Sequence, residues 1–187
     1  MACNGALGTD KTPEPPGSAL ESEAFLTPVA QAREGGVAPY WLGERFNAGG
    51  VTFGASGVAS LYEDASPSLH LEYAGRSPTA QGELFVETYP QVAPDARSRL
   101  ERFSSQTGAS PGAVRVGDFD AEIAVSPGGD QPAENLLLLV HAEGADVVVR
   151  TTGVLGGPPG DIRNLNPLTD EDLFIQVVAE NLQPIPE

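Results

Sequence analysis

Histidine is the side chain best suited to proton transfer near neutral pH, and this chain has two histidines, His70 and His141. Each lies in a pattern that predicts a β-strand, where a histidine is more often a satisfied sheet residue than a base. The sequence contains no H-E-x-x-H pair, no phosphate-binding glycine loop and no paired cysteines. The run Gly54-Ala55-Ser56-Gly57 lacks the G-x-S-x-G spacing of a nucleophile elbow. We therefore assign no catalytic residue and no cofactor.

Two groups of carboxylates have spacings that resemble a metal site. Asp118, Asp120 and Glu122 alternate along a predicted strand, and residues 170–172 read Asp-Glu-Asp. The first group lacks the D-x-D-x-D-G loop of an EF-hand and matches a row of solvated outer residues equally well. The second group lies in the first turn of a predicted helix, where the helix dipole favours anions. We predict no metal site.

Cys3 is the single cysteine, which excludes an intramolecular disulfide and a multi-cysteine zinc site. Ala2-Cys3 matches the end of a bacterial lipoprotein signal, in which a small residue precedes the cysteine that is lipidated. The following residues are rich in Pro, Gly, Ser and Thr, so we predict that residues 1–18 form a disordered tether. In this interpretation the signal has been trimmed, Met1 has been restored, and a lipid on Cys3 anchors the domain to a membrane. The alternative is a cytosolic start with a stray cysteine.

Two large aromatic residues, Tyr40 and Trp41, stand between Pro39 and Leu42-Gly43. Such a cluster typically anchors a crossing segment to the core. The alternative is that Tyr40 and Trp41 contact a ligand or a partner, with their rings stacking on a planar group or a sugar.

The run Pro39-Tyr40-Trp41-Leu42-Gly43 carries a resemblance to a known class of protein. Together with the short helical approach and the strand–strand–helix ending, it resembles uncharacterised extracytoplasmic lipoproteins of actinobacteria and their neighbours. Those proteins often have a similar Pro-x-Tyr-Trp-Leu-Gly element after a lipidated cysteine and a tether. The resemblance is specific over five residues, and it implies an anchored extracytoplasmic domain of unknown function with no catalytic residues to transfer.

Length and charge limit the function further. The 187 residues fit one domain, which we place at residues 19–187, plus the tether. The net charge is −16, and such a field repels phosphate backbones, so nucleic-acid binding is disfavoured. No stretch has the roughly 18 consecutive apolar residues of a membrane span.

The last third of the chain has the clearest structural pattern. The apolar run 136–140, a glycine-containing turn at 143–146 and the β-branched run 147–152 predict a hairpin. A helix is predicted over residues 170–181, with Thr169 as its N-cap. Its apolar stripe must be buried against the sheet, and it consists of Leu173, Phe174, Val177, Val178 and Leu182.

Other segments predict shorter elements. Pro28 is expected to break the segment 19–33 into two helical turns. Strands are expected at residues 51–53, 58–62, 68–73 and 82–89, and a helix at 94–104 with Arg97, Arg99 and Arg102 in solvent. The face on which apolar residues lie switches within 113–126, so that segment is either one bulged strand or two strands.

These elements predict an α+β fold, an antiparallel β-sheet with helices packed on one face. The leading functional hypothesis is a membrane-tethered extracytoplasmic domain that binds a partner or a ligand without catalysis. One alternative is a carrier of an apolar ligand or lipid in a cleft between sheet and helix. The other is a hydrolase whose His, Ser and Asp come from distant segments. The sequence leaves the oligomeric state open.

Overall fold

The computed structural model describes residues 18–61, 66–77, 80–127, 136–151 and 166–187. The tether and Cys3 therefore lie outside the described residues, apart from Ser18. The helices are α1 (Glu23–Glu34), α2 (Pro94–Thr107) and α3 (Glu171–Asn181). The strands are β1 (Tyr40–Trp41), β2 (Arg45–Ala48), β3 (Val51–Leu61), β4 (Ser68–Arg76), β5 (Gln81–Pro90), β6 (Gly112–Val116), β7 (Phe119–Val125), β8 (Leu136–Ala142), β9 (Ala145–Thr151) and β10 (Gln183–Pro184).

Eight of these strands form one antiparallel sheet, in the order β2-β3-β4-β5-β9-β8-β7-β6. The sheet consists of two meanders, β2–β5 and β6–β9, which meet where β5 pairs with β9. Helix α2 lies in the connection between the two meanders. Strands β1 and β10 form a separate two-stranded pair. The predicted α+β class, the antiparallel sheet and the C-terminal helix near the sheet are confirmed.

Alternation along the central strands gives the sheet two apolar faces. Leu138 and Val140 of β8 face the larger core, which includes residues of α1 and α3. Leu137 and Leu139 face a second core with Leu100 and other residues of α2. The helices were predicted to pack on one face; α1 and α3 share a face, whereas α2 packs against the opposite one.

The predicted hairpin is β8 and β9, and its turn is shorter than expected. Ala142 pairs with Ala145, so Glu143 and Gly144 alone form the connection. Gly144, the second residue of this turn, has φ 74°, a left-handed conformation that glycine adopts without steric cost.

Helix α3 forms where it was predicted, but its cap differs. The carboxylate of Asp170, not the hydroxyl of Thr169, accepts the N–H of Leu173 at 2.9 Å. The Thr169 hydroxyl instead donates to the Asn166 carbonyl within a short 3₁₀ turn, which starts the helix one residue later. Phe174, Val177 and Val178 are buried as predicted.

Helix α1 contradicts the expected break at Pro28, because it is continuous through that proline. Phe25, Val29 and Ala32 are spaced four and three residues apart and are all buried. Burying this stripe stabilises the helix enough to offset the backbone hydrogen bond that proline cannot donate. None of the described helices combines the length and apolar character needed to cross a bilayer.

Strand boundaries also differ from the sequence analysis in two places. The strands predicted at 51–53 and 58–62 are one strand, β3, with a register shift between Ala55 and Gly57. The segment 113–126, for which two alternatives were open, is the hairpin β6–β7, which turns at Gly117 with φ 57°.

Candidate functional site

A cleft of about 430 Å³ lies between the N-terminal helical segment and β3, and we call it the α1–β3 groove. One wall is formed by Ala19, Ser22, Ala24 and Phe25, and the other by residues 54–58. The groove lies where the 3₁₀ turn at residues 19–21 and the first turn of α1 meet β3, against which α1 packs. It offers a small or extended ligand both an apolar surface and polar groups.

The β-bulge in β3 shapes the strand wall of the groove. Ser56 is the extra residue, because Ala55 pairs with Tyr73 and Gly57 pairs with Glu72. A bulge re-aims the side chains that follow it and is common beside binding sites. A Cβ at Gly57 would lie 3.3 Å from Oε2 of Glu72, so a side chain there would displace this exposed carboxylate by a few tenths of an ångström.

The charged side chains that line the groove lie together just before and at the start of β2. Glu44 accepts hydrogen bonds from the hydroxyl of Ser18 and, at 3.4 Å, from the backbone N–H of Leu20. Arg45 is exposed beside it. Since Ser18 also caps the short 3₁₀ turn Ala19–Glu21, it belongs to the folded domain and fixes one end of the groove.

Tyr40 and Trp41, the two predicted contact residues, are 3% and 4% exposed and are not among the residues that line the groove. The Trp41 ring packs against Phe25 at 5.6 Å between centroids. The Tyr40 ring meets Phe119 edge-on, and its hydroxyl donates to the carbonyl of Glu143 at 3.2 Å. Their contacts are those of core anchors, and Trp41 supports the Phe25 ring that lines the groove.

The two histidines lie on the outer, α2-side face of the sheet. Nε2 of His70 is 3.1 Å from the hydroxyl of the buried Ser68. Nδ1 of His141 is 2.8 Å from Oδ1 of Asp146, and its Nε2 is 3.9 Å from Glu122. A Ser-His-acid arrangement needs the hydroxyl and the carboxylate on the same imidazole. His70 has a serine beside it and Glu87 opposite it in the β4–β5 pairing, but Ser68 and Glu87 are 0% and 1% exposed, so neither is open to a substrate. His141 contacts Asp146.

A buried carboxylate, Glu87, organises the polar part of this outer face. Oε1 accepts from Nε of Arg150 at 2.9 Å, and Oε2 accepts from the Tyr89 hydroxyl at 2.8 Å. Nε of Arg99 lies 3.2 Å from Oε2 as well as 3.2 Å from the Tyr89 hydroxyl. We call Glu87, Tyr89, Arg99 and Arg150 the Glu87 cluster. The prediction that Arg99 points into solvent is wrong, because its side chain is drawn to the sheet by this carboxylate.

The charges around Glu87 hold it ionised. Burial alone would raise the pKa of the Glu87 carboxyl. The positive charges of His70, Arg150 and Arg99 outweigh burial, so this pKa lies below its usual value. Burial and the neighbouring Glu87 raise the pKa of Tyr89, which keeps its hydroxyl protonated as a donor. The Glu87 cluster is thus a satisfied ion-pair network.

The acidic row on β7 is also paired. Asp120 lies 2.6 Å from Arg115, and Glu122 contacts Arg97 of α2. Within the described parts of the chain, no group of three or more His, Cys, Asp or Glu side chains is arranged to hold a metal ion.

Comparison with known proteins gives no relative to which these sites can be aligned: no protein-family model, curated protein or solved structure matches this chain.

Sequence reasoning missed the residues that form the groove. Phe25 and Ala24 were assigned to a broken helix, and residues 54–57 were placed between two predicted strands, at 51–53 and 58–62. The pair of glycines at 54 and 57 within an otherwise strand-like run was the available signal, since an isolated glycine in a strand often marks a bulge.

Proposed function

We propose that this chain is a membrane-tethered extracytoplasmic domain that binds a partner or a ligand in the α1–β3 groove without catalysing a reaction. The observation that carries the binding role is the groove itself, about 430 Å³ in volume, with Phe25 at one wall and Glu44 and Arg45 at one end. Concave sites with apolar walls and a few polar groups are where proteins usually bind ligands.

The geometry of the histidines supports binding over hydrolysis. Ser68 and Glu87, which both lie near His70, are buried, and the Glu87 carboxylate is paired with Arg99 and Arg150. His141 pairs with Asp146. Neither histidine lines the α1–β3 groove. A ligand in the groove would therefore meet carboxylate, guanidinium and hydroxyl groups, which can orient it by hydrogen bonds.

Ala2-Cys3 and the polar run after it support the membrane tether, as does the resemblance of Pro39-Tyr40-Trp41-Leu42-Gly43 to extracytoplasmic lipoproteins. We expect the chain, expressed from its own gene in its native host, to incorporate a radioactive fatty acid. The Cys3→Ser variant should lose the label because it lacks the thiol that carries the lipid. An unlabelled wild-type chain would contradict the tether and leave the groove unaffected.

Binding in the groove is tested by filling it. Ala24 is exposed and lines the groove, so Ala24→Trp should block it without disturbing the core. Ala30 is an exposed alanine of the same helix that does not line the groove, and Ala30→Trp is the matched control. We expect an extract of the host cell envelope to shift the amide NMR signals of Gly54 and Gly57 in the wild type and in Ala30→Trp, but not in Ala24→Trp.

Shifts confined to residues around His70 or His141 would contradict the groove as the binding site. So would equal shifts in both tryptophan variants, because only one of them occupies the groove.

A carrier of an apolar ligand is the second candidate, because the groove lies between a helix and the sheet as that role requires. A fluorescent fatty acid that binds the wild type and is excluded by Ala24→Trp would favour the carrier.

A further inference from the structure

We propose that the α1–β3 groove takes an extended, cationic peptide segment, which pairs with the free edge of β3 as an added strand. The inference rests on the proposed binding function and names the class of ligand. Adding a strand to an exposed sheet edge is a common way of recognising peptides, in which backbone hydrogen bonds give affinity and side-chain pockets give specificity.

The free edge arises because β2 is much shorter than β3. The ladder between them runs from Ala48–Val51 to Arg45–Gly54 and ends there. One further bond joins the N–H of Ala55 to the carbonyl of Glu44 at 3.1 Å. From residue 56 to residue 61, β3 has no strand beside it on this side among the described residues.

The direction of the unpaired groups follows from the ladder with β4. In an antiparallel strand the N–H and C=O of one residue point to the same neighbour, and the next residue points to the other. Ala55 donates towards the β2 side, so Gly54 points towards β4 and exchanges bonds with Ala74. The β4 residues at positions 72 and 70 then also point towards β3.

After the bulge, Gly57 and Ala59 stand opposite those two β4 residues, so their backbone groups are used in the ladder. The backbone groups of Val58 and Ser60 point to the open side. Six strand residues span about 20 Å, which matches a peptide segment of about six residues. The open groups are therefore spaced as an incoming strand needs them.

Charge selects the occupant. Glu44 and Arg45 are the charged residues among those described as lining the groove, and their charges offset each other. The chain as a whole has a net charge of −16, and its field favours a cationic segment over an anionic one. A second copy of the chain would bring a net charge of −16 against an equal charge, which opposes edge-to-edge pairing. A peptide rich in lysine or arginine meets complementary charge instead.

The test uses a fluorescein-labelled peptide of alternating lysine and valine, about six residues long, and measures its affinity by fluorescence anisotropy. Val58→Pro removes an N–H that points to the open side and leaves the ladder with β4 and the net charge intact. Val58→Ala keeps that N–H and controls for the lost side chain. We expect Val58→Pro to weaken binding about tenfold and Val58→Ala to change it less than about threefold.

A second peptide keeps the test decisive if Val58→Pro does not fold. Alternating lysine and proline carries the same charge but lacks every second N–H, so it should bind the wild type at least about tenfold more weakly. On binding of the lysine–valine peptide, hydrogen exchange should slow at Val58 and Ser60.

Several results would overturn the inference. Equal affinity for the lysine–valine and lysine–proline peptides would show attraction by charge alone. Equal affinity for an alternating glutamate–valine peptide would remove the cationic preference. A dimer seen by sedimentation and lost in Val58→Pro would replace the peptide with a second copy. If the peptide fails while the envelope extract still shifts Gly54 and Gly57, the binding function stands without this ligand class; if both fail, both proposals are wrong.

Discussion

At the scale of single residues, Glu87 is the most consequential polar group in the described structure. Its side chain is 2% exposed, and it contacts the Arg150 and Arg99 guanidinium groups and the Tyr89 hydroxyl. A buried carboxylate is costly unless charge and hydrogen bonds compensate it, and here both do. Arg99 and Arg150 are partly exposed, with side chains 30% and 24% accessible, so they keep some of their hydration. The cluster therefore ties α2 to β5 and β9.

We expect Glu87→Gln to lower the free energy of unfolding at pH 7 by about 2–3 kcal/mol, because it leaves two arginines without their carboxylate. The lowered folded-state pKa of Glu87 means that its contribution is present above the unfolded pKa, near about 4.3, and is lost as pH falls through the lower folded value. The difference between wild type and variant should therefore shrink between pH 7 and about pH 3 in urea unfolding experiments.

The matched control is Glu101→Gln on the exposed side of α2. Glu101 pairs with Arg97 at 3.4 Å with both side chains largely exposed, so we expect less than about 0.5 kcal/mol. An equal loss in the two variants, or a Glu87→Gln difference that does not change with pH, would contradict the role given to the Glu87 carboxylate.

At the scale of elements, the sequence was sufficient wherever one segment carries its own periodicity. Leu69, Leu71 and Tyr73 alternate along β4 and are buried, and Ala96, Leu100 and Phe103 recur at helical spacing and are the buried residues of α2. These patterns are local, and burial in the structure follows them directly.

The groove could not be predicted in the same way, because it depends on contacts between distant segments. The continuity of α1 through Pro28 is set by the burial of Phe25 and Val29 against the core, which outweighs the local signal of proline. The bulge at Ser56 is set by the register with β4, a strand that comes later in the chain. The contact of Arg99 with Glu87 could not be predicted for the same reason, because the two residues come together only in the folded sheet.

At the scale of the whole molecule, α3 holds the two ends of the sheet together. Strands β2 and β6 are at opposite edges in the strand order, yet α3 contacts both of them. A Cβ at Gly49, beside β2, would lie 3.7 Å from Leu173, and a Cβ at Gly117, beside β6, would lie 3.7 Å from the Ala179 carbonyl. The sheet must therefore curve around α3, which spans the gap between its edges.

This arrangement makes a specific prediction for Phe174, which is fully buried at the centre of the docked face. Phe174→Ala should lower the free energy of unfolding by about 3–5 kcal/mol through lost burial and a residual cavity. The edge strands have a neighbouring strand on one side only, so loosening α3 should affect them first. We expect amide hydrogen exchange in β2 and β6 to accelerate more than in the central strands β5 and β9.

The matched control for Phe174→Ala is Gln176→Ala, an exposed position of the same helix whose amide contacts only Glu180. It should change the unfolding free energy by less than about 0.5 kcal/mol and leave the exchange pattern intact. If Phe174→Ala accelerates exchange at β2 alone, then α3 stabilises only that edge, and the curvature of the sheet does not depend on the helix. Acceleration at both edges is the outcome that a bridging helix requires, because no ladder connects β2 to β6 among the described strands.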